Sequence, residues 1–258
     1  MFLDDAMSRS AAQVAERRRR TPARALERLV AGPGPAPSFR RAIRRDGGSV
    51  RVIAEVKRVS PSAGPILPGA SVADLVGAYE EAGAAAVSIL TSDLFGGSPA
   101  DIGEAHAACG LPVLRKDFIS DEYQVLEARA LGASAVLLIA DALDEPELVR
   151  LLGSARDLGL DALVESHGRD GIHKAADAGA DIIGINNRDL GTLQVDVCTT
   201  EENLESVPHD TVVVSESGIR TRECVQRMES LGVDALLIGE ELMRADDPGR
   251  RLRELLGT

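Results

Sequence analysis

Residues 52–62, VIAEVKRVSPS, run as an apolar strand through Glu55 and Lys57 and then break at Ser60-Pro61-Ser62. In an extended chain successive side chains alternate faces, so Ile53, Glu55 and Lys57 share one side. A hydrophobic strand that carries a carboxylate and an ammonium on one face needs a fold in which that face opens on a polar cleft.

The rest of the chain repeats the pattern. Strand candidates are Val50 to Lys57, Ala85 to Thr91, Pro112 to Phe118, Ala135 to Ala140, Asp161 to Ser166, Asp181 to Arg188, Thr211 to Gly218 and Ala235 to Gly239, eight in all. Between them lie helical stretches such as Val72 to Ala82, Glu122 to Leu131, Glu145 to Leu158 and Arg222 to Leu231. Glycines at 83, 110, 132, 159, 179 and 232 mark helix ends, because glycine tolerates the left-handed conformation that closes a helix. Most strand spacings run between about 20 and 27 residues, the size of one βα unit. Eight such units fit a (β/α)8 TIM barrel better than a doubly wound sheet of five or six strands. The first βα turn also lacks the GxGxxG of a dinucleotide site.

The first 48 residues read differently. Residues 2 to 31 are helical in pattern and carry the cluster Arg17 to Arg20, a Pro/Gly segment follows over Gly32 to Pro37, and a short amphipathic piece spans Phe39 to Arg45. The expected organisation is an N-terminal helical extension over residues 1–48, packed on a barrel over 49–258, one domain overall. The arginine cluster reads as a solvated helix face.

Bulk properties narrow the function. The 258 residues are 44% hydrophobic and 27% charged, ordinary for a folded globular chain. A net charge of −12 and a pI near 4.9 speak against nucleic acid or an anionic membrane as partner. An anionic substrate would therefore need local positive charge. Cys109, Cys198 and Cys224 lie far apart with no metal-ligand spacing, which fits a reducing, cytoplasmic setting. No apolar run approaches the ~18 residues of a membrane span and no N-terminal apolar core follows Met1, so export and membrane insertion are not expected. With the sequence ending at Thr258, no fused C-terminal catalytic domain is expected.

A TIM barrel places its site at the C-terminal strand ends. Strand 1 ends with Glu55 and Lys57, strand 3 with Arg115-Lys116-Asp117-Phe118, strand 5 with Glu165-Ser166-His167, strand 6 with Asn186-Asn187-Arg188 and strand 7 with Glu216-Ser217-Gly218. One charge after a strand is ordinary loop chemistry; five strands of eight ending so point to one mouth. Strands 7 and 8 lead into Ser217-Gly218-Ile219 and Ile238-Gly239-Glu240-Glu241, where paired glycines suit a phosphate held by backbone amides. No HxH or HExxH spacing appears, and His167 alone of the histidines falls near the mouth. The chemistry expected is proton transfer by lysines and glutamates, with no metal or cofactor.

Several strings then resemble one family. Ile53-Ala54-Glu55-Val56-Lys57 with Ser60-Pro61-Ser62, Pro112 through Phe118, Gly184-Ile185-Asn186-Asn187-Arg188, Ser215-Glu216-Ser217-Gly218-Ile219, Phe95-Gly96-Gly97-Ser98 and Leu242-Met243-Arg244 closely resemble indole-3-glycerol phosphate synthase. The resemblance spans nearly the whole chain, more weakly before residue 50. It implies ring closure, with decarboxylation and dehydration, of 1-(2-carboxyphenylamino)-1-deoxyribulose 5-phosphate to indole-3-glycerol phosphate in tryptophan biosynthesis. It also implies a small-molecule substrate, no cofactor and a monomer.

Carried over by motif, Lys116 is the general acid at the ketose carbonyl and Glu165 the second proton-transfer group, acting in the dehydration. Lys57 steadies the substrate carboxylate, Glu55 holds Lys57 or a substrate hydroxyl, and Glu216 binds ribulose hydroxyls. Asn186, Arg188 and Ser60 surround the anthranilate carboxylate. Ser217 orients the sugar end; Gly218, Gly239 and Glu240 offer amides to phosphate. Phe95, Phe118, Leu137 and Leu190 wall the aromatic ring. The chain departs from the family's usual form in a shorter strand 2 loop without its basic residue, in Ser166 at an apolar position, and in Ala63-Gly64-Pro65-Ile66 lacking a lysine. The alternatives are another phosphoribosyl-type barrel enzyme and a non-catalytic binder of a phosphate ligand.

Overall fold

Along β1 (Arg51–Val56), Ile53 packs with one apolar cluster while Val52, Ala54 and Val56 pack with another. The two-residue period therefore splits each strand between two cores. Seven more strands of the barrel follow: β2 (Ala86–Leu90), β3 (Val113–Lys116), β4 (Ala135–Ile139), β5 (Asp161–Ser166), β6 (Ile182–Asn186), β7 (Val212–Glu216) and β8 (Ala235–Ile238). All pair in parallel with their sequence neighbours, and β8 returns to β1 through Arg51↔Ala235 to Ala54↔Ile238, closing an eight-stranded barrel. This is the (β/α)8 TIM barrel expected. The computed structural model describes residues 2–31, 36–60, 64–67 and 69–258, with Ser60 and Pro65 described by backbone alone.

Inside the barrel, Ile53, Leu114, Leu137, Leu163, Ile182, Val212 and Leu237 form the filled axis. Outward-facing Val87, Val136, Leu138, Val164, Ile183 and Leu236 meet the surrounding helices. Those helices are α4 (Val72–Glu81), α5 (Ala100–Ala108), α6 (Glu122–Ala130), α7 (Glu145–Asp157), α8 (Arg169–Asp177), α9 (Cys198–Asn203), α10 (Arg222–Ser230), α11 (Glu240–Met243) and α12 (Pro248–Leu256). Their ends follow local chemistry. Asp144 and Glu147 form a reciprocal capping box at the start of α7, as Asp121 and Gln124 do for α6. Five of the six predicted helix-closing glycines, at 83, 132, 159, 179 and 232, have positive φ. Gly110 does not: Cys109 leaves the helix extended, and the Gly110 N–H donates to Glu80 Oε1 at 3.0 Å.

The N-terminal segment is three helices, α1 (Phe2–Arg20), α2 (Ala23–Val30) and α3 (Phe39–Ile43). The predicted continuous helix over 2–31 is interrupted at Thr21–Pro22, because the proline ring disfavours a helical residue before it. Phe39 and Ile43 of α3 are fully buried against the barrel axis. Arg40 N donates to Asp161 Oδ2 and Arg45 N to Asp234 Oδ1, both at the N-terminal ends of strands, so α3 closes the barrel floor.

α1 lies against α6 instead. Arg17 pairs with Glu127 at 3.0 Å, and Arg18 pairs with Asp121 while lying over the Tyr123 ring. Arg17 and Arg18 thus dock on α6, while Arg18, Arg19 and Arg20 stay exposed as a solvated face predicts. Ser10 Oγ donates to the Phe118 carbonyl at 2.7 Å, tying α1 to the loop after β3.

Candidate active site

Every second residue faces the axis, so the last inward residue of each strand opens on the C-terminal mouth. Glu55, Leu90, Lys116, Ile139, Glu165, Asn186 and Glu216 take those places, and all line one cavity. The same alternation sends Arg115 and Ser215 outward. Arg115, grouped in the sequence with the mouth charges, is wholly buried behind the barrel, where it binds Asp117 and Glu127 at 2.9 Å each. Ser215 shares a buried hydrogen-bond network with Thr200 and Asn187.

At the centre, Lys116 Nζ donates to Glu165 Oε2 at 2.9 Å and to Glu216 Oε2 at 2.8 Å. Asn186 Nδ2 donates to the other Glu165 oxygen at 2.8 Å, while its own Oδ1 accepts the Arg188 N–H at 2.9 Å. Glu216 Oε1 is buried without a hydrogen-bond partner. Glu55 accepts a long 3.4 Å bond from Ser88 and acts on Lys57 through its field, not through an ion pair.

Burial and charge divide the two acids that share Lys116. Burial pushes Glu216 up to about 8, helped by repulsion from Glu165 and Glu55 against the pull of Lys116. Burial acts the same way on Glu165, but there Lys116, Asn186 and Glu216 outweigh it and hold the carboxylate below its usual range. One acid is thus protonated and the other ionised near neutral pH. Burial would lower Lys116 too; Glu165, Glu216 and Glu55 together outweigh it and raise the ammonium. Lys57 runs the other way, lowered by burial and by the cations Arg188 and Lys116 against Glu55 and Glu240.

An apolar wall faces this cluster. Phe95 stacks on Phe118 with centroids 6.2 Å apart, Phe2 meets Phe118 edge-on at 6.3 Å, and the Lys57 ammonium lies 5.4 Å from the Phe95 centroid. Leu137 and Leu190 line the same space. Phe2 is a lining residue that sequence reasoning missed, since no local pattern shows that a helix start 50 residues before the barrel folds over its mouth. Leu193 and Val195 were missed likewise; they follow Arg188 on a loop bridged back through Arg188↔Val195.

On the β7–β8 side, Ser217 and Gly218 take consecutive positive φ values of 67° and 80°. Asn187 Nδ2 holds this tight turn by donating to the Ser217 carbonyl at 3.0 Å. Ser217, Gly218, Gly239 and Glu240 all line the cavity, a turn geometry suited to anions. Arg188 donates to the Leu193 carbonyl at 3.0 Å and lies 3.9 Å from Glu240.

Every predicted site residue but one thus borders one cavity. The exception, Ser60, has its side chain outside the described residues. His167 sits just beyond the mouth, its Nδ1 2.8 Å from the Asn186 carbonyl. Among the described residues no group of three or more His, Cys, Asp or Glu is placed to hold a metal ion, and no helix is long and apolar enough to cross a membrane.

Residues 3–255 match the family model described as indole-3-glycerol phosphate synthase. A relative, indole-3-glycerol phosphate synthase 2 of Streptomyces coelicolor, is 48% identical over 239 residues, covering 92% of each chain. Among solved structures, thiamine phosphate pyrophosphorylase from Pyrococcus furiosus superposes with a TM-score of 0.63 at 17% identity, covering 85% of this chain and 96% of its own. The 3-hexulose-6-phosphate synthase of Salmonella typhimurium gives 0.63 at 15%, covering 80% and 96%. At such identities the two structures speak to the fold alone.

Proposed function

The chain belongs to the indole-3-glycerol phosphate synthase family, and from that membership we propose how its mouth carries out the family's carboxy-lyase reaction on 1-(2-carboxyphenylamino)-1-deoxyribulose 5-phosphate. The aryl carbon bearing the carboxylate attacks the ketose carbonyl, and Lys116 gives its proton to the oxygen as that oxygen gains charge. The carboxylate leaves as carbon dioxide, and its bonding pair restores the aromatic ring. The new alcohol then leaves as water while a proton is lost from the adjacent methylene carbon. Glu165, ionised and 2.9 Å from Lys116, is the proton-transfer group of that dehydration.

Lys57 and Arg188 supply positive charge for the carboxylate end, with Asn186 and Ser60 beside them, and the Phe95–Phe118 wall receives the aryl ring. The turn of Ser217 and Gly218, with Gly239 and Glu240, receives the phosphate. Gripping both anionic ends lets binding energy bend the linker until carbonyl and ring meet. Loss of either anchor then lowers turnover as well as affinity.

The observation that supports this most directly is Lys116 held between two buried carboxylates at the mouth. The test is the appearance of indole fluorescence when purified protein meets the substrate, with Lys116→Ala alongside. Signal from the wild type that collapses in the variant is expected. A folded wild type that gives none removes ring closure, and tight substrate binding in that case leaves a non-catalytic binder.

A further inference from the structure

Two glycines beside the mouth acids sit outside any tight turn: Gly184 in mid-strand, and Gly239 at the N-cap of α11, a place glycine often takes. Gly184, in the middle of β6, and Gly239, just after β8, both lie outside the left-handed region, and Gly184 is deep in a strand where a side chain would ordinarily be favoured. What they share is a neighbour. A Cβ at Gly184 would lie 2.2 Å from Glu216 Oε1, and one at Gly239 would lie 2.5 Å from Glu55 Oε1 and 3.0 Å from Glu55 Cβ. Both distances are well inside van der Waals contact.

The strand register explains the geometry. Gly184 pairs with Val214 and Asn186 with Glu216, so Glu216 starts two residues nearer the mouth and its chain reaches back down over Gly184. That descent puts Oε1 into the space a methyl group would fill, leaving it buried without a hydrogen-bond partner. It also leaves Oε2 in place to accept from Lys116 at 2.8 Å. Glu55 lies level with Gly239, one position beyond the Ala54↔Ile238 pair, with its Oε1, Cβ and Cδ all against the glycine. The nearest atom at Gly184 from a residue other than Glu216, among the described residues, is Leu163 Cδ1 at 3.2 Å, a flexible tip that can give.

We propose that Gly184 and Gly239 are positioning residues: their missing side chains form two recesses that seat the carboxylates of Glu216 and Glu55 in the barrel mouth. Gly239 is then chosen by a carboxylate as much as by any phosphate. Neither glycine touches the reacting atoms; Gly184 acts through Glu216, and Gly239 acts through Glu55 besides bordering the proposed phosphate turn.

The test is a pair of cycles. Gly184→Ala should lower Tm by roughly 3–10 °C, the usual result of overpacking in a protein of this size. In a Glu216→Ala background, where the blocking oxygen is gone, the same change should leave Tm unchanged or raise it. An equal loss in both backgrounds overturns the proposal. If Gly184→Ala alone does not fold, recovery of a cooperative transition in the double variant supports it, and no recovery overturns it. The activity cycle uses Glu216→Asp. That shortening should lower kcat in the wild type yet raise it at least threefold in Gly184→Ala, because the shorter acid no longer needs the recess. A role in folding alone would not reverse that sign, and additive losses overturn the positioning role. Gly239→Ala with Glu55→Gly repeats the unfolding cycle; Glu55→Ala does not serve, because its Cβ would still lie 3.0 Å away. The activity cycle rests on the proposed ring closure and the unfolding cycle does not, so the two can fail separately.

Discussion

At the scale of single residues, the site works by unequal treatment of like groups. Glu165 and Glu216 both bind Lys116, yet burial and neighbours push Glu216 up to about 8 and hold Glu165 low. Lys116→Met is expected to lower kcat by about 10²–10⁴, the usual contribution of a positioned acid, in steady-state fluorescence assays. The raised acid also has a stability signature. Between its ordinary value of 4.5 and about 8, Glu216 stays protonated in the folded protein while the unfolded chain has given its proton up. Its contribution is therefore full below that window and is lost as pH rises through it. Thermal melts from pH 5 to 8.5 should fall less steeply for Glu216→Gln than for the wild type; parallel curves would show that Glu216 carries no such proton. The residue types of this cluster were legible in the sequence, but their protonation was not, because it depends on which groups desolvate one another.

At the scale of elements, α1 and the β3–α6 unit are joined by a buried chain of charge. Arg17 binds Glu127, Glu127 binds Arg115, and Arg115 binds Asp117, next to Lys116. Arg115→Met would leave Asp117 buried without its cation and Glu127 with Arg17 alone, a loss of about 3–5 kcal/mol in urea unfolding. A loss below 1 kcal/mol would mean that the two acids find other partners. α1 also brings Phe2 over the mouth, edge-on to Phe118. Such a ring pair is worth about 0.5–1.5 kcal/mol, so Phe2→Ala should lower stability in urea unfolding by about that much; an unchanged unfolding free energy would show that the ring contact adds nothing. The barrel strands are legible in the sequence to within two residues at every end, and so are the helix-closing glycines with Gly110 as the exception. Arg115 escaped because its string, Arg115-Lys116-Asp117, looks uniform until the strand's alternation is fixed in space. The docking role of Arg17 and Arg18 escaped because their partners lie over 100 residues away.

At the scale of the whole molecule, binding and folding are linked through the mouth. An anion that occupies the Ser217–Gly218 turn binds only the folded chain and stabilises it by mass action. Inorganic phosphate at about a hundred times its dissociation constant should add about 2.7 kcal/mol, or roughly 5–10 °C in Tm for a chain of this size. Gly218→Ala should abolish the increment, since φ is +80° there and a Cβ would also lie 2.8 Å from both Val195 and Val197. An undiminished shift would place the anion elsewhere.

The sequence by itself determined the barrel, the end of it that carries chemistry, and the residue types found there. Those follow from local rules: two-residue alternation, turn chemistry at helix ends, and charges where apolar strands stop. Only the tertiary structure decided how the charges pair. Lys116 meets Glu165 across 49 residues and Glu216 across 100, and Gly184 and Gly239 leave room for carboxylates from other strands. Pairing, protonation and steric room are set by distance and desolvation between segments remote in the chain, and no local pattern encodes them.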